Sequence, residues 1–413
     1  SRGLLEDVMR KQAGSIEKAV LEAVMNSVDA NAETIRIELT ETHLTVKDDG
    51  EGLTEKDVET YFEKFGLKDD DVEDKSFGKF RIGRGQIFNF GRNVWRSQDN
   101  VLVVNLNEDE TVVGIDGEEH ELDTSGLSYN ILKMDEPTDG CNIIVDLYDN
   151  IENLSSKVNE VQNLIRYVSW VHDVTIALNG EDFGKDFVYE FETDEAWFRV
   201  QEGSFNTGIE IYNQGAHVTN ERETPMKLEA VSKKDLDVNF ARNAVLDTCD
   251  VAPKIIEQAK TFCFNKLLEL DEFRSRQIRW LLEESRGDDN KLGLILNKEI
   301  FRDVKGEMWS LKQLGGEKVS FKPGGGNLAR RAMDENGIIV IDGSYKDEID
   351  GLIEDSEVLD YSDVVEKEMK WEMREVDESE LSTKRHKNLV VARDFLEELN
   401  FRSEVKPGHS QEE

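Results

Sequence analysis

Residues 21–30 of this chain run Leu-Glu-Ala-Val-Met-Asn-Ser-Val-Asp-Ala, and this run constrains the fold more than any other stretch. Written as a pattern it is E-x-x-x-N-x-x-D-A, with Glu22, Asn26 and Asp29 at offsets of four and three. At about 3.6 residues per turn those offsets put the three side chains on one helix face. Ala19, Val20, Ala23, Val24 and Val28 supply an apolar face, so the helix has to lie against a core. The polar face carries a carboxylate, a carboxamide and a second carboxylate. That set suits metal-bound phosphate chemistry. A carboxylate can orient or deprotonate water, an amide oxygen can ligate a hard cation such as Mg²⁺, and a second carboxylate can hold the geometry. A solvated helix face has the same look, and the helix alone does not decide between the two readings.

The surrounding pattern is mixed. Residues 4–30 read as helix, Thr34 to Leu39 alternates as a strand, and His43 to Lys47 reads as its hairpin partner. Asp48-Asp-Gly-Glu-Gly52 breaks the alternation as a tight loop, and Thr54 opens a helix running to about Phe65. Further strands are expected near 101–105, 111–115 and 142–147, a helix over 153–169, and a strand at Val174 to Leu178 closed by the turn Asn179-Gly180. Residues 186–218 alternate as two or three strands. Residues 254–270 and 271–284 read as helices, with a joint at 286–290. Gly337 to Ile341 reads as a buried strand.

Two loops carry chemical groups. Asp48-Asp-Gly-Glu-Gly52 has the form D-x-G-x-G after a strand; its aspartate can accept a hydrogen bond from an exocyclic amine such as that of adenine. A plain acidic hairpin turn gives the same string. Gly78-Lys-Phe-Arg-Ile-Gly-Arg-Gly85 leads into the apolar run Ile87 to Phe90. Glycine-rich turns that feed a helix can present N–H groups to phosphate, with Lys79, Arg81 and Arg84 adding positive charge. A flexible basic loop is the alternative. The loop at Pro323 to Gly326, followed by Arg330 and Arg331, reads as a connector before an anion site. No Walker or dinucleotide-binding fingerprint is present.

Composition narrows the partners. The chain has 413 residues, enough for two or three domains, with 51 Lys and Arg against 89 Asp and Glu and a net charge of −38. So acidic a chain is a poor match for duplex DNA or an anionic membrane. Cys141, Cys249 and Cys263 are odd in number and widely spaced, as in reduced thiols of a cytoplasmic protein. No apolar run approaches the roughly 18 residues of a membrane span.

In order and spacing these elements resemble the GHKL ATPase superfamily of gyrase, the ninety-kilodalton heat-shock chaperones, histidine kinases and MutL. The resemblance covers residues 1–180. It implies an α+β fold, a GHKL (Bergerat) α/β sandwich with a mixed sheet, and a site for ATP and Mg²⁺. It implies Glu22 as the base for the attacking water, Asn26 as the Mg²⁺ ligand, and Asp29 and Ala30 as support for the nucleotide wall. Asp48 would read adenine, with Gly50 and Gly52 shaping its loop. Gly78, Lys79, Arg81, Ile82, Gly83, Arg84 and Gly85 would belong to the lid over the phosphates. Gly140-Cys141 stands where the family has Gly-Thr, replacing a hydroxyl near the adenine by a thiol. Arg81 stands at the middle glycine of the chaperone lid.

A second stretch, Val231 to Arg242, is similar to the chaperone middle-domain segment whose arginine reaches the γ-phosphate. Arg242 matches that arginine. Leu246 stands where the chaperones carry a glutamine, and Lys233 and Lys234 are alternative phosphate contacts by analogy with MutL and gyrase. The expected domains are a GHKL domain at 1–182, a transducer-like α/β domain at 183–286, a small α/β interaction domain at 287–406 and a tail at 407–413. The implied activity is slow ATP hydrolysis that drives lid closure, domain docking and homodimerisation in a chaperone-like machine with a protein client. The alternatives are a MutL- or topoisomerase-like clamp on DNA, and a nucleotide-gated module with negligible hydrolysis.

Overall fold

The computed structural model describes residues 14–54, 86–105, 129–184, 186–201, 206–239, 242–349, 351–353 and 355–364, with isolated residues at 112–113, 119–120, 374–375, 383 and 408–409. The chain parts into two compact units, Ser1–Cys263 and Phe264–Glu413.

The first unit opens with helix α1 (Ile16–Asp29), whose buried face includes Ala19, Val20, Ala23 and Val24. Strands β1 (Thr34–Leu39) and β2 (His43–Asp48) pair antiparallel, with Ile35, Ile37, Leu39, Leu44 and Val46 all buried. Alternating apolar residues therefore put one face of the hairpin on the core, as a period of two requires. After a single 3-10 turn at Ile87–Asn89 come two long antiparallel strands, β3 (Gly91–Val104) and β4 (Tyr129–Leu147). Helices α2 (Leu154–Leu164) and α3 (Val168–His172) follow, then β5 (Thr175–Leu178) and β6 (Glu181–Phe183). Asn179 and Gly180 both adopt positive φ, 51° and 84°, the geometry of the expected two-residue hairpin turn. The six strands form one mixed sheet in the order β3-β4-β2-β1-β5-β6, with only β1 and β5 parallel. Residues of α1, α2 and α3 join the inward side chains of this sheet in one core. This is an α+β sandwich with a mixed sheet.

A second sheet in the same unit has five strands: β7 (Phe191–Glu192), β8 (Ala196–Val200), β9 (Gly208–Asn213), β10 (Ala216–Glu221) and β11 (Lys227–Ser232). Their order is β10-β9-β11-β8-β7, with β9 and β11 parallel. Helix α4 (Val251–Leu268) packs here through buried Ala252, Ile255, Ala259 and Cys263, and Phe262 stacks on Phe191. The second sheet is tied to the helices of the first at Tyr167, whose hydroxyl donates to Glu229 of β11 at 2.6 Å, while Arg166 donates to the same fully buried carboxylate at 3.0 Å.

The second unit takes the last turn of α4, with Phe264 and Leu267, into its own core. Helices α5 (Ser275–Ser285) and α6 (Asp289–Ile295) lead to the hairpin β12 (Glu299–Arg302) and β13 (Met308–Ser310). A parallel sheet follows, built from β14 (Lys318–Phe321), helix α7 (Asn327–Asn336), β15 (Ile339–Ile341) and β16 (Glu357–Leu359), with β14 central.

Several boundaries move. The strand expected at 101–105 is the end of the long β3, and that expected at 142–147 is the end of β4. Apolar alternation is weak over the polar halves of both, so their pairing carries them. Strand β11 lies beyond the alternating stretch expected at 186–218. The helix expected from 271 starts at Ser275, and that expected from 254 starts at Val251. The cut between compact units falls inside α4, whereas the sequence reading put a boundary at 286. The joint at 286–290 is a turn in which Asp288 caps α6 through the N–H groups of Asn290 and Lys291. In the Pro323 to Gly326 connector, Gly324 N–H donates to Asp342 at 2.7 Å. The N-terminal part of the first helix and the helix from Thr54 to Phe65 lie outside the described residues.

Candidate active site

Asp48, at the end of β2, is buried and takes three donors. Its Oδ2 accepts from Ser27 Oγ at 2.8 Å; its Oδ1 accepts from the backbone N–H of Gly50 and of Cys141, each at 3.0 Å. A buried carboxylate needs such partners, because leaving it unmatched costs more than any net gain from pairing it. The three donors come from α1, from the loop after β2 and from β4, so Asp48 ties together the elements around the site. At position 141 it is the main-chain N–H that reaches Asp48.

The D-x-G-x-G loop is packed too closely for side chains. A Cβ at Gly50 would stand 2.6 Å from the Ala30 carbonyl oxygen, and one at Gly140 would stand 2.1 Å from the Asp48 carbonyl oxygen. Gly140 also has φ +67°, a region L residues avoid. Ser97 of β3 fastens the far side: its hydroxyl accepts from Leu53 N–H at 2.7 Å and donates to the Gly140 carbonyl at 2.8 Å. Asp49 turns the other way and accepts from the N–H groups of Glu33 and Thr34, each at 2.8 Å, which holds the loop to the start of β1. Glu51 N–H donates to Ala30 O at 2.9 Å. The end of α1, the start of β1 and the glycine loop thus form one rigid wall containing Asp29, Ala30, Asp48, Gly50 and Gly52.

Arg242 reaches that wall from the loop after β11. Its Nε stands 2.5 Å from Glu22 Oε1, and both side chains are largely buried, at 14% and 8% exposure. Burial pulls the guanidinium below its ordinary pKa, while Glu22, Asp29 and Asp235 act in the opposite direction by favouring its charge. The loop is braced for this reach. Asn213 accepts from Leu236 N–H and donates to Asp235, both at 3.0 Å. Val238 and Val245 form an antiparallel bridge, and Asn239 accepts from Asn243 N–H at 3.0 Å. Arg242 sits at the tip with φ +48°. A non-glycine residue held there costs about 1–3 kcal/mol, a strain that gathers at functional positions.

The structure therefore unites Glu22, Asp29 and Arg242, with Asn26 half-buried on the same helix face one turn from Glu22. Lys233 and Lys234 are engaged elsewhere: their ammonium groups pair with Glu192 at 2.7 Å and Glu195 at 3.5 Å. The lid residues Gly78, Lys79, Arg81, Ile82, Gly83, Arg84 and Gly85 lie outside the described residues. The sequence reading missed Ser27, Ser97, Asn213 and Asp235. Ser27 stood inside the first motif and was legible as a polar residue one helix turn before Ala30. The others act through contacts between distant segments that no local pattern announces.

Residues 14–97 match the family described as "Histidine kinase-, DNA gyrase B-, and HSP90-like ATPase". With the sandwich fold and the wall around Asp48, this part of the chain is a GHKL-type ATPase domain, a class of ATP-binding domain. No curated protein matches the chain. Among the described residues, no helix is long and apolar enough to cross a membrane.

Proposed function

We propose that the chain is a Mg²⁺-dependent ATPase of the GHKL type that hydrolyses ATP slowly and turns the nucleotide state into a change of conformation. The observation that carries this reading is the Glu22–Arg242 contact, which joins the expected base to the expected phosphate-sensing arginine in one compact unit.

The donor chemistry fits the nucleotide and its metal. Asp48 presents a buried carboxylate, an acceptor for the adenine amine, fixed by Ser27, Gly50 and Cys141. Asn26 offers a hard oxygen on the helix face it shares with Glu22. Among the described residues no group of three or more His, Cys, Asp or Glu could hold a metal ion by itself. Mg²⁺ binds through one or two protein groups together with substrate phosphates. When bound, the ion neutralises charge developing on the phosphate oxygens.

In hydrolysis Glu22 takes a proton from water as the water oxygen bonds to the γ-phosphorus. The bond from that phosphorus to the bridging oxygen breaks, and ADP leaves. Arg242 supplies a charge-assisted contact to the transferring phosphoryl group, work a planar guanidinium does better than a lysine. The strain at Arg242 and the bracing by Asn213 support a residue placed for chemistry. The test is steady-state turnover with Mg²⁺ and ATP. Glu22→Ala should lose about a hundredfold or more in rate; a variant as fast as the parent overturns the reading.

The chaperone-like part of the reading rests on the Val231 to Arg242 stretch and on the −38 charge. Lid closure, docking and homodimerisation would be the output, with a protein client as the partner. Glu22→Ala loaded with ATP should hold the closed form and retain that client in a pull-down. Loss of the client on ATP loading would count against it.

A further inference from the structure

The guanidinium assigned to the γ-phosphate is already engaged with the carboxylate assigned to the water. We propose that the Arg242–Glu22 pair is a ground-state clamp that holds the base inactive until a nucleoside triphosphate is bound. Only a γ-phosphate draws Arg242 off Glu22, and only then can Glu22 act as a base. The inference rests on the ATPase reading above.

Three observations carry it. The contact is 2.5 Å and the two side chains are mostly buried, so solvent competes weakly for either charge. A carboxylate that accepts a charge-assisted hydrogen bond from a guanidinium is a weaker base. Asp29 and Asp235 add to the field that keeps Arg242 inside, so one cation faces three carboxylates. Leaving that setting requires an anion within reach of the guanidinium, which a triphosphate places at its γ position and a diphosphate does not. Around Arg242 the chain is tied by the Val238–Val245 bridge, the Asn239–Asn243 pair and Asn213. The exchange is a swing of the arginine side chain.

A ligand shifts such an equilibrium only by its differential affinity for the two states. Breaking the clamp by mutation should therefore return to the triphosphate the affinity it spends on opening the pair. The experiment is calorimetric titration of the full chain, in Mg²⁺, with ADP and with a non-hydrolysable ATP analogue. The proteins are the parent, Glu22→Gln, Arg242→Gln and the double variant. Glu22→Gln should tighten the analogue on the order of tenfold and change ADP by less than about twofold, within the usual range of site coupling. In the Arg242→Gln background the same change at Glu22 should have no effect on the analogue.

A gain of equal size in both backgrounds would mean simple repulsion between carboxylate and phosphate, and would overturn the clamp. So would an equal gain for ADP. A parent that binds neither nucleotide would overturn the ATPase reading itself, a different failure. Thermal melting checks that each variant folds. If Arg242→Gln does not, Arg242→Lys keeps the charge but loses the fork. In that background Glu22→Gln should tighten the analogue less than it does in the parent; a gain of equal size would overturn the clamp.

Discussion

At the scale of single residues the site depends on groups that satisfy one another. Asp48 uses both oxygens, so Asp48→Asn would set an amide N–H₂ against a donor and lose an acceptor toward adenine. We expect nucleotide affinity to fall more than about tenfold, since hydrogen bonds to a charged group are worth about 1.5–3 kcal/mol. Calorimetry reads this directly, and unchanged affinity would remove Asp48 from the site. Gly140→Ala touches no ligand, yet its methyl would meet the Asp48 carbonyl at 2.1 Å with φ at +67°. The variant should melt lower than the parent and bind ATP more weakly, because the carboxylate moves with its own backbone. Arg242→Ala would leave Glu22 buried without its guanidinium. Breaking one side of a buried pair costs about 3–5 kcal/mol, to be read from chemical denaturation, and a loss below about 1 kcal/mol would show the pair to be weak.

At the scale of elements, the joint between the two sheets of the first unit governs where Arg242 sits. His172 at the end of α3 bonds to the Gln214 carbonyl at 3.0 Å, and His217 of β10 packs edge-on against Tyr212. Burial lowers the pKa of both histidines, against the Gln214 carbonyl for His172 and against Glu210 for His217. With folded values below the unfolded value of about 6.5, the unfolded chain takes up protons first as pH falls. The contribution is whole above pH 6.5 and is lost as pH drops through the lowered folded values. Melting temperature should therefore fall from about pH 6.5 downward, and the slope should flatten in the His172→Asn/His217→Gln double variant; an unchanged slope would place the titration elsewhere. The hairpin of β5 and β6 was legible because Asn179-Gly180 states its own turn. The long β3 and β4 were not, because their polar halves are held by pairing with one another.

At the scale of the whole molecule, charge is the feature that bears on partners. A net −38 opposes a polyanion. Duplex DNA should neither stay bound at low salt nor raise ATP turnover. Retention that weakens steeply with added salt would instead favour a clamp on DNA. The division at Cys263, inside α4, also concerns the whole chain. Length and composition gave no sign of it, since a helix that serves two cores reads as an ordinary amphipathic helix.

The E-x-x-x-N-x-x-D-A run and the D-x-G-x-G loop were enough by themselves to specify a helix face and a tight glycine loop, and their order carried the resemblance that implies an ATP site. Helical offsets and the steric demands of glycine are local, and local rules can be read from a string of residues. Arg242 was legible as a candidate from its own stretch, but its contact with Glu22 was not. Neither were the Ser27, Gly50 and Cys141 donors that meet on Asp48, nor the support from Asn213. These were decided by the tertiary structure alone. Each joins groups far apart in the chain, and the need to pair every buried charge and polar atom acts only once the fold has taken them out of water.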